Sequence, residues 1–349
     1  MAEPEQLSSN WMVIGGAGFF GIHMCAFLAK CGYRVISYDI ASFPPHERPE
    51  GVEEVVGDIR DTGKLRESLH GVQYVIHAAA ALTLSNPAEI EAVNAEGTRL
   101  VVTCCADVGV KRLIYIGTTA VYGMPRYHPI CEDAPLDPMG PYGTAKAKGE
   151  QYCLRAENLE TVLIRPKSFI GTGRLGIFQI LFDWIETGKR IYVLGDGNNR
   201  FQLLEVEDLC EAVHKAMLRG RNREIYNLGA AQFGTVNEDL GALLAHASSG
   251  SRLVHVPARP AKAILAMLAA LRISPMYRWV YDTADQDSYV SIEKAQHELN
   301  WQPSCSNRDA LIRAYDWYLK EGKQLAQRTG TSHRVAWKQG ILRILKALS

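Results

Sequence analysis

Apolar and polar positions alternate in two rhythms through the first half of the chain. Short β-branched and aromatic runs stand at Trp11 to Ile14, Arg34 to Tyr38, Glu53 to Val56, Tyr74 to His77, Arg112 to Ile116 and Thr161 to Ile164. Between them, apolar residues recur at helical spacing over His23 to Cys31, Thr62 to Leu69, Pro87 to Asp107 and Tyr142 to Glu157. Strands separated by helices of this length are joined by crossovers, and crossovers make neighbouring strands parallel. Right-handed crossovers then place helices on both faces of the sheet. The pattern predicts an α/β fold over residues 11–166, a Rossmann-type doubly wound parallel sheet.

After residue 166 the alternation breaks down. Phe178 to Gly188 and Asp208 to Leu218 read as helices, Tyr226 to Leu228 as a short strand, and Gly195 to Asn199 as a turn-rich loop. Residues 258–283 are apolar and interrupted by prolines, with Pro257 just before them. The expectation for 167–322 is a smaller C-terminal substrate-binding lobe, some of whose segments return to the sheet. Residues 323–349 hold six Lys or Arg and no Asp or Glu. There, Trp337, Ile341, Leu345 and Leu348 recur at helical spacing, with Lys338, Arg343 and Lys346 elsewhere on the wheel. This predicts a basic amphipathic tail helix, with residues 333–349 shaped for peripheral contact with an anionic membrane.

Composition narrows the function classes. Apolar residues make up 47% and charged residues 22%, too apolar and too balanced for a disordered chain. Lys plus Arg and Asp plus Glu both total 38, which argues against a general nucleic-acid binder. That balance conceals a split, because the tail's six bases leave 32 basic against 38 acidic residues elsewhere. The eight cysteines include no CxxC and no zinc-finger spacing, so no metal site is expected and a reducing compartment fits. The first ten residues are polar, without the pattern of a signal peptide. Ala261 to Leu271, interrupted by Lys262, is far short of the roughly 20 residues that span a bilayer. A soluble cytoplasmic protein is the expectation, with the tail as its route to a membrane surface.

Glycines at 15, 18 and 21 follow the first strand and open the first helix. In that context the first permits a tight turn, the second lets backbone approach a pyrophosphate, and the third lets helix and strand pack closely. The helix N-terminus offers free N–H groups and a positive dipole end to phosphate. Asp39 closes the second strand, where a carboxylate accepts from the ribose hydroxyls and repels a 2′-phosphate, so NAD is expected over NADP. Gly57, Asp58 and Ile59 are placed to meet the adenine, and Arg60 beside them leaves a small opening for NADP.

Tyr142 and Lys146 are four residues apart in a helical segment begun by Pro141, so they share a face. A free tyrosine titrates near pH ~10 and is a poor base at neutral pH. A neighbouring ammonium favours its phenolate, which can then take the proton of an alcohol. Thr118 ends the fifth strand, at the sheet edge where such folds carry their sites. Asn94 lies inside a helix, against its propensity, and reads equally as a structural or a catalytic residue.

Together these residues carry a resemblance. GGAGFFG (15–21), GDIRD (57–61), HAAA (77–80), VNAEGT (93–98), TTAVYG (118–123), PYGTAKAKGE (141–150), IRP (164–166), GDGNN (195–199), YNLG (226–229) and HELNWQP (297–303) occur in order. The chain resembles an extended short-chain dehydrogenase/reductase of the NAD-dependent epimerase/dehydratase superfamily, from about Trp11 to Lys320. The resemblance implies Thr118, Tyr142 and Lys146 as catalytic residues. It implies NAD held by Gly15, Gly18, Phe19, Phe20, Gly21, Asp39, Asp58, Ile59, Ala78, Ala79 and Ala80, with Asn94, Tyr142, Lys146 and Pro166 beside it. It also implies a homodimer, in which the helices around Pro87 to Asp107 and Tyr142 to Glu157 form a four-helix bundle across a two-fold axis.

Departures from the family pattern bear on the substrate. Ile14 replaces a usual Thr at little cost. Ser168 stands where sugar-nucleotide epimerases have Asn, and Phe201 where they have an Arg for the diphosphate, with Arg200 adjacent. Thr119 and Ala120 stand where sugar 4,6-dehydratases carry an Asp-Glu pair, so elimination of water lacks its acid and base. The leading expectation is a C4 epimerase or reductase of a nucleotide sugar. Lys167, Arg174 and Arg200 would supply charge for the diphosphate, and Thr83, Thr119 and Ser168 complete the expected substrate residues. One alternative is a 3β-hydroxysteroid dehydrogenase-like enzyme for an apolar alcohol at a membrane surface. The other is a non-catalytic NAD-binding scaffold, which has no need of Thr118, Tyr142 and Lys146.

Overall fold

The computed structural model describes residues 10–44, 47–125, 127–270, 278–322 and Lys346. Six strands come from the first half: β1 Asn10–Ile14, β2 Arg34–Asp39, β3 Val52–Val56, β4 Tyr74–His77, β5 Arg112–Ile116 and β6 Glu160–Pro166. With β10 (Glu224–Leu228) they form one seven-stranded sheet in the order β10-β6-β5-β4-β1-β2-β3, parallel throughout. The order reverses between β1 and β4, which opens the crevice where sheets of this kind bind ligands.

Alternate residues of each strand feed two separate cores. Trp11 and Val13 pack in one cluster and Met12 and Ile14 in the other; Ile114 and Leu113 divide in the same way. This period of two, with both faces apolar, is what a sheet covered by helices on both sides requires. The first helix runs Phe19–Lys30, four residues longer at its start than its periodicity predicts. The stretch from Pro87 to Asp107 is helical throughout but not uniformly α. An α-turn Pro87–Ile90 passes into a π-helical segment Glu91–Gly97 and then into the α-helix Thr98–Asp107.

The lobe contains short strands that the sequence pattern does not reveal. β7 (Ser168–Ile170) pairs with β9 (Leu203–Glu205), and β8 (Ile191–Leu194) with β11 (Leu253–Val256). Helices Ile177–Glu186, Val236–Ala247 and Asn307–Trp317 enclose a third core around Phe182, Leu243 and Tyr315. The lobe is interrupted. Helix Val206–Arg219 packs on helix Phe19–Lys30, and β10 extends the large sheet next to β6. Of the tail helix expected over 333–349, only Lys346 falls among the described residues; its Nζ lies 2.7 Å from Asp183 Oδ2. No helix among the described residues is long and apolar enough to cross a membrane.

Candidate active site

The glycine turn is a cradle that side chains would fill. Gly15 has φ +91°, and a Cβ there would lie 2.6 Å from Ala79 N. At Gly21 a Cβ would lie 2.0 Å from Gly15 O. Neither position tolerates a side chain, so the turn, the helix and the Ala78–Ala79 backbone converge. Helix Phe19–Lys30 has Gly18 as N-cap, with no side-chain cap and no acidic residue in its first turn. By contrast, Asp61, Asn86, Thr235 and Ser306 each cap the helix that follows them. The uncapped amides and dipole of the first helix fit the pyrophosphate of a dinucleotide.

Asp39 ends β2 beside this turn. Its Oδ2 accepts from Ala17 N and its Oδ1 from Ala41 N, both at 3.0 Å. Burial raises its pKa, against those backbone donors. A carboxylate has acceptor sites left for ribose hydroxyls after two such bonds. Arg60 is not free for a 2′-phosphate: it pairs with Asp58 at 2.6 Å and with Glu89 at 3.3 Å, and it holds the Asp58 carboxyl below its ordinary pKa. Ile59 is buried and packs so closely on the π-helical segment that a Cβ at Gly97 would lie 2.5 Å from its Cδ1.

The Tyr142–Lys146 pair lies in helix Gly140–Leu154, which has Pro141 in its first turn. Lys146 is 3% exposed; its Nζ donates to the Ile116 carbonyl at 2.6 Å and lies 4.3 Å from the Tyr115 ring centroid. Burial lowers its pKa to about 8, opposed by the negative charge of Glu150 one helical turn on. Tyr142 is half-buried and packs beside Ile90 and Ala95. Thr118, immediately after β5, is half-buried and accepts from Ala120 N at 3.2 Å through Oγ1, leaving its proton to donate. The turn Thr119–Tyr122 follows it. Strand end and helix thus bring the three candidate groups to the carboxyl edge of the sheet, through the link from Lys146 to Ile116.

Asn94 is 1% exposed in the π-helical segment. Its Oδ1 accepts from Ala81 N at 2.7 Å and its Nδ2 donates to Ala81 O at 3.0 Å. This two-way clamp fixes the loop after β4, and so the Ala78–Ala80 backbone facing the glycine turn.

Sequence reasoning missed the network beneath Lys146. Glu150 and Arg165 form a fully buried ion pair, 2.7 Å between Oε2 and Nη2. Arg165 Nη1 also donates to Tyr122 OH at 2.8 Å, and Tyr122 OH donates to Asn227 Oδ1 at 2.8 Å. The signals were present: a Glu four residues after Lys146, and an Arg inside the apolar strand TVLIRP.

The expected substrate residues separate. Lys167, directly after β6 and Pro166, is 3% exposed; its Nζ donates to Ser288 Oγ at 2.6 Å and lies 5.0 Å from the Phe201 ring. Burial lowers its pKa to about 7. Among the described residues no carboxylate forms an ion pair with it. Arg200 stands over the Phe233 and Tyr289 rings, and its backbone N donates to Asp287 Oδ1 at 2.7 Å. Arg174 lies elsewhere, its guanidinium 5.1 Å from the Phe19 ring and 5.3 Å from the Phe169 ring, against the start of the glycine-turn helix. Ser168 begins β7, and Thr83 is half-buried in the loop after β4.

Comparison with known proteins identifies the family and the fold. Residues 11–229 match the family described as the NAD dependent epimerase/dehydratase family. An uncharacterised protein of Sinorhizobium fredii, y4nG, is 34% identical over 96% of this chain and 85% of its own. The UDP-glucose 4-epimerase of Thermotoga maritima, solved with UDP-glucose, is 25% identical with a TM-score of 0.74, over 89% of this chain and 99% of that one. The Streptomyces venezuelae dTDP-glucose 4,6-dehydratase, solved with NAD, has the same identity and TM-score over 90% and 98%.

Proposed function

This chain belongs to the NAD dependent epimerase/dehydratase family, and on that premise we propose that it is an NAD-dependent enzyme acting on a secondary alcohol of a nucleotide sugar, of the C4 epimerase or reductase type. The observation that carries the reading is the buried Lys146 ammonium, four residues along the helix from Tyr142 and held by the carbonyl of Ile116, two residues before Thr118. When bound, NAD supplies a hydride acceptor and donor at its nicotinamide ring. The chain's own residues handle the proton. Thr118 Oγ donates to the substrate oxygen and orients it. Tyr142, favoured as phenolate by the Lys146 charge, takes the hydroxyl proton and returns it to the carbonyl oxygen in the reverse step.

Lys167 supports a nucleotide sugar over an apolar alcohol. A buried ammonium with no carboxylate partner is costly unless an anion arrives to pair with it, and a diphosphate does so with charge-assisted hydrogen bonds. Phe201, Phe233 and Tyr289 around Lys167 and Arg200 give a base or sugar ring a surface to lie on. Thr119 and Ala120 offer no carboxylates for elimination, which favours epimerisation or reduction over dehydration. Asp39, with Arg60 held by Asp58 and Glu89, favours NAD over NADP.

The test is turnover of NAD-loaded protein on panels of UDP-, GDP- and dTDP-sugars and of sterols. Products are read by NMR and cofactor reduction by absorbance. The proposal expects conversion of at least one nucleotide sugar and of no sterol. Turnover confined to sterols overturns the substrate class, and turnover of nothing by a protein that binds NAD supports a scaffold.

A further inference from the structure

The backbone of Ala78–Ala81 leaves the end of β4 beside the glycine turn, where a Cβ at Gly15 would lie 2.6 Å from Ala79 N. Its far end is fastened by Asn94, through Ala81 N and O. Its near end is held to the sheet by Ala78 N, which donates to Ile14 O at 2.8 Å. His77, the last residue of β4, precedes it and is 0% exposed. His77 Nε2 lies 3.0 Å from Thr98 Oγ1, and Thr98 Oγ1 donates to Asn94 O at 2.9 Å. His77 Nδ1 is buried and has no hydrogen-bond partner among the described residues.

These contacts fix the state of the ring. Burial, reinforced by the Lys146 charge, lowers the His77 pKa to about 3, so the ring is neutral and carries one N–H. The Thr98 hydroxyl has a single proton, and Asn94 O receives it. Thr98 Oγ1 is therefore the acceptor, His77 Nε2 the donor, and Nδ1 the bare nitrogen. A leucine here would fill the core and strand no acceptor, so packing alone does not account for a histidine. What the ring adds is the bond to Thr98.

We infer that His77 is a positioning residue for NAD, the second jaw of a clamp whose first is Asn94. Thr98 opens the α-helix that follows the π-helical segment Glu91–Gly97. His77 ties the end of β4 to that junction, and Asn94 ties the junction to Ala81. Both ends of the backbone facing the glycine turn are thus held by one turn of helix, residues 94–98. The bonds reinforce one another, since a hydroxyl that accepts a hydrogen bond donates a stronger one. The same chain reaches helix Gly140–Leu154, because a Cβ at Gly149 would lie 3.0 Å from Asn94 O. The inference rests on NAD lying at the glycine turn and not on the identity of the substrate.

The experiment compares the full-length parent with His77→Leu and His77→Gln. Gln carries an amide N–H at about the reach of Nε2, and Leu carries none. NAD affinity is read by calorimetry. Deuterium exchange over Ala78–Ala81 is read by mass spectrometry on protein without NAD. His77→Leu is expected to bind NAD roughly 3- to 10-fold more weakly, to exchange faster over Ala78–Ala81, and to keep its thermal midpoint. His77→Gln is expected to restore affinity and exchange to within about twofold of the parent. The inference is overturned if His77→Leu binds NAD and exchanges as the parent does. It is also overturned if His77→Gln is as impaired as His77→Leu, which makes the ring a packing element only. A parent that binds no NAD overturns the cofactor premise itself, and the positioning role with it.

Discussion

Lys146 and Lys167 are each 3% exposed, one in the sheet half and one at the start of the lobe, yet their surroundings differ. The sheet half gives Lys146 a carbonyl acceptor and the field of Glu150, and its pKa falls only to about 8. The lobe gives Lys167 a serine hydroxyl and an aromatic face, and its pKa falls to about 7. The protein itself keeps the first lysine charged. The second is poised between charged and neutral until an anion pairs with it. On the proposed reading, one half of the molecule is organised in advance for proton transfer, and the other is completed by its ligand.

The largest test of this contrast is Tyr142→Phe. It removes the proton acceptor that Lys146 serves and is expected to lower kcat by roughly 10²–10⁴-fold while NAD binding persists. Equal turnover by variant and parent would place the chemistry elsewhere. Next comes Lys167→Met, which keeps the volume and removes the charge. Losing a charge-assisted bond of about 1.5–3 kcal/mol is expected to weaken nucleotide-sugar binding by roughly 10- to 100-fold in calorimetry.

Lys167→Met carries a second signature. A lysine whose pKa is near 7 when folded and 10.5 when unfolded holds fewer protons in the folded state between those values. The parent's stability therefore rises with pH across that window. The variant should show a flatter profile in urea unfolding, with higher stability at the neutral end. An unchanged pH profile would remove Lys167 from the desolvated state described.

Asp39→Asn is expected to narrow the preference for NAD over NADP by about tenfold, because it removes a charge that repels a 2′-phosphate. Unchanged cofactor affinities would place the selectivity elsewhere. The smallest effect concerns Glu150. Removing it alone strands Arg165 in the interior, so Glu150→Gln is combined with Arg165→Met. Glu150 holds the Lys146 pKa up, and its loss should move the alkaline limb of the pH–rate profile to lower pH, by less than about one unit. A limb that stays in place means the buried pair is structural only.

The two halves also differ in how readily the sequence discloses them. β1 to β6 are legible because each is a β-branched run whose alternate residues feed two cores, and the glycine turn because Gly15 and Gly21 occupy spaces that admit no side chain. Thr118, Tyr142 and Lys146 are brought to one edge by elements the periodicity already marks. The lobe is not legible in this way. Its β7–β9 ladder is only three residues long, and the β8–β11 ladder, four residues like β4, lacks the regular strand–helix alternation that marks β4 in the first half. Lys167, Phe201 and Ser288 are distant in the chain and meet through loops. The π-helical turn at Asn94 differs from an α-helix by one residue of winding, which no apolar periodicity resolves, and its purpose emerges only with the Ala81 backbone beside it. Arg174 lies over the Phe19 and Phe169 rings while Lys167 and Arg200 lie over Phe201, Phe233 and Tyr289, since spacing along the chain does not encode which neighbours a loop residue reaches.

The most direct measurement follows NAD-loaded protein with a nucleotide sugar deuterated at C4, read by NMR and mass spectrometry. The account predicts the C4 epimer or the 4-ketosugar in the parent, deuterium retained wherever the epimer forms, and neither product with Tyr142→Phe. It is contradicted if no nucleotide sugar is converted at C4, or if Tyr142→Phe converts it as fast as the parent.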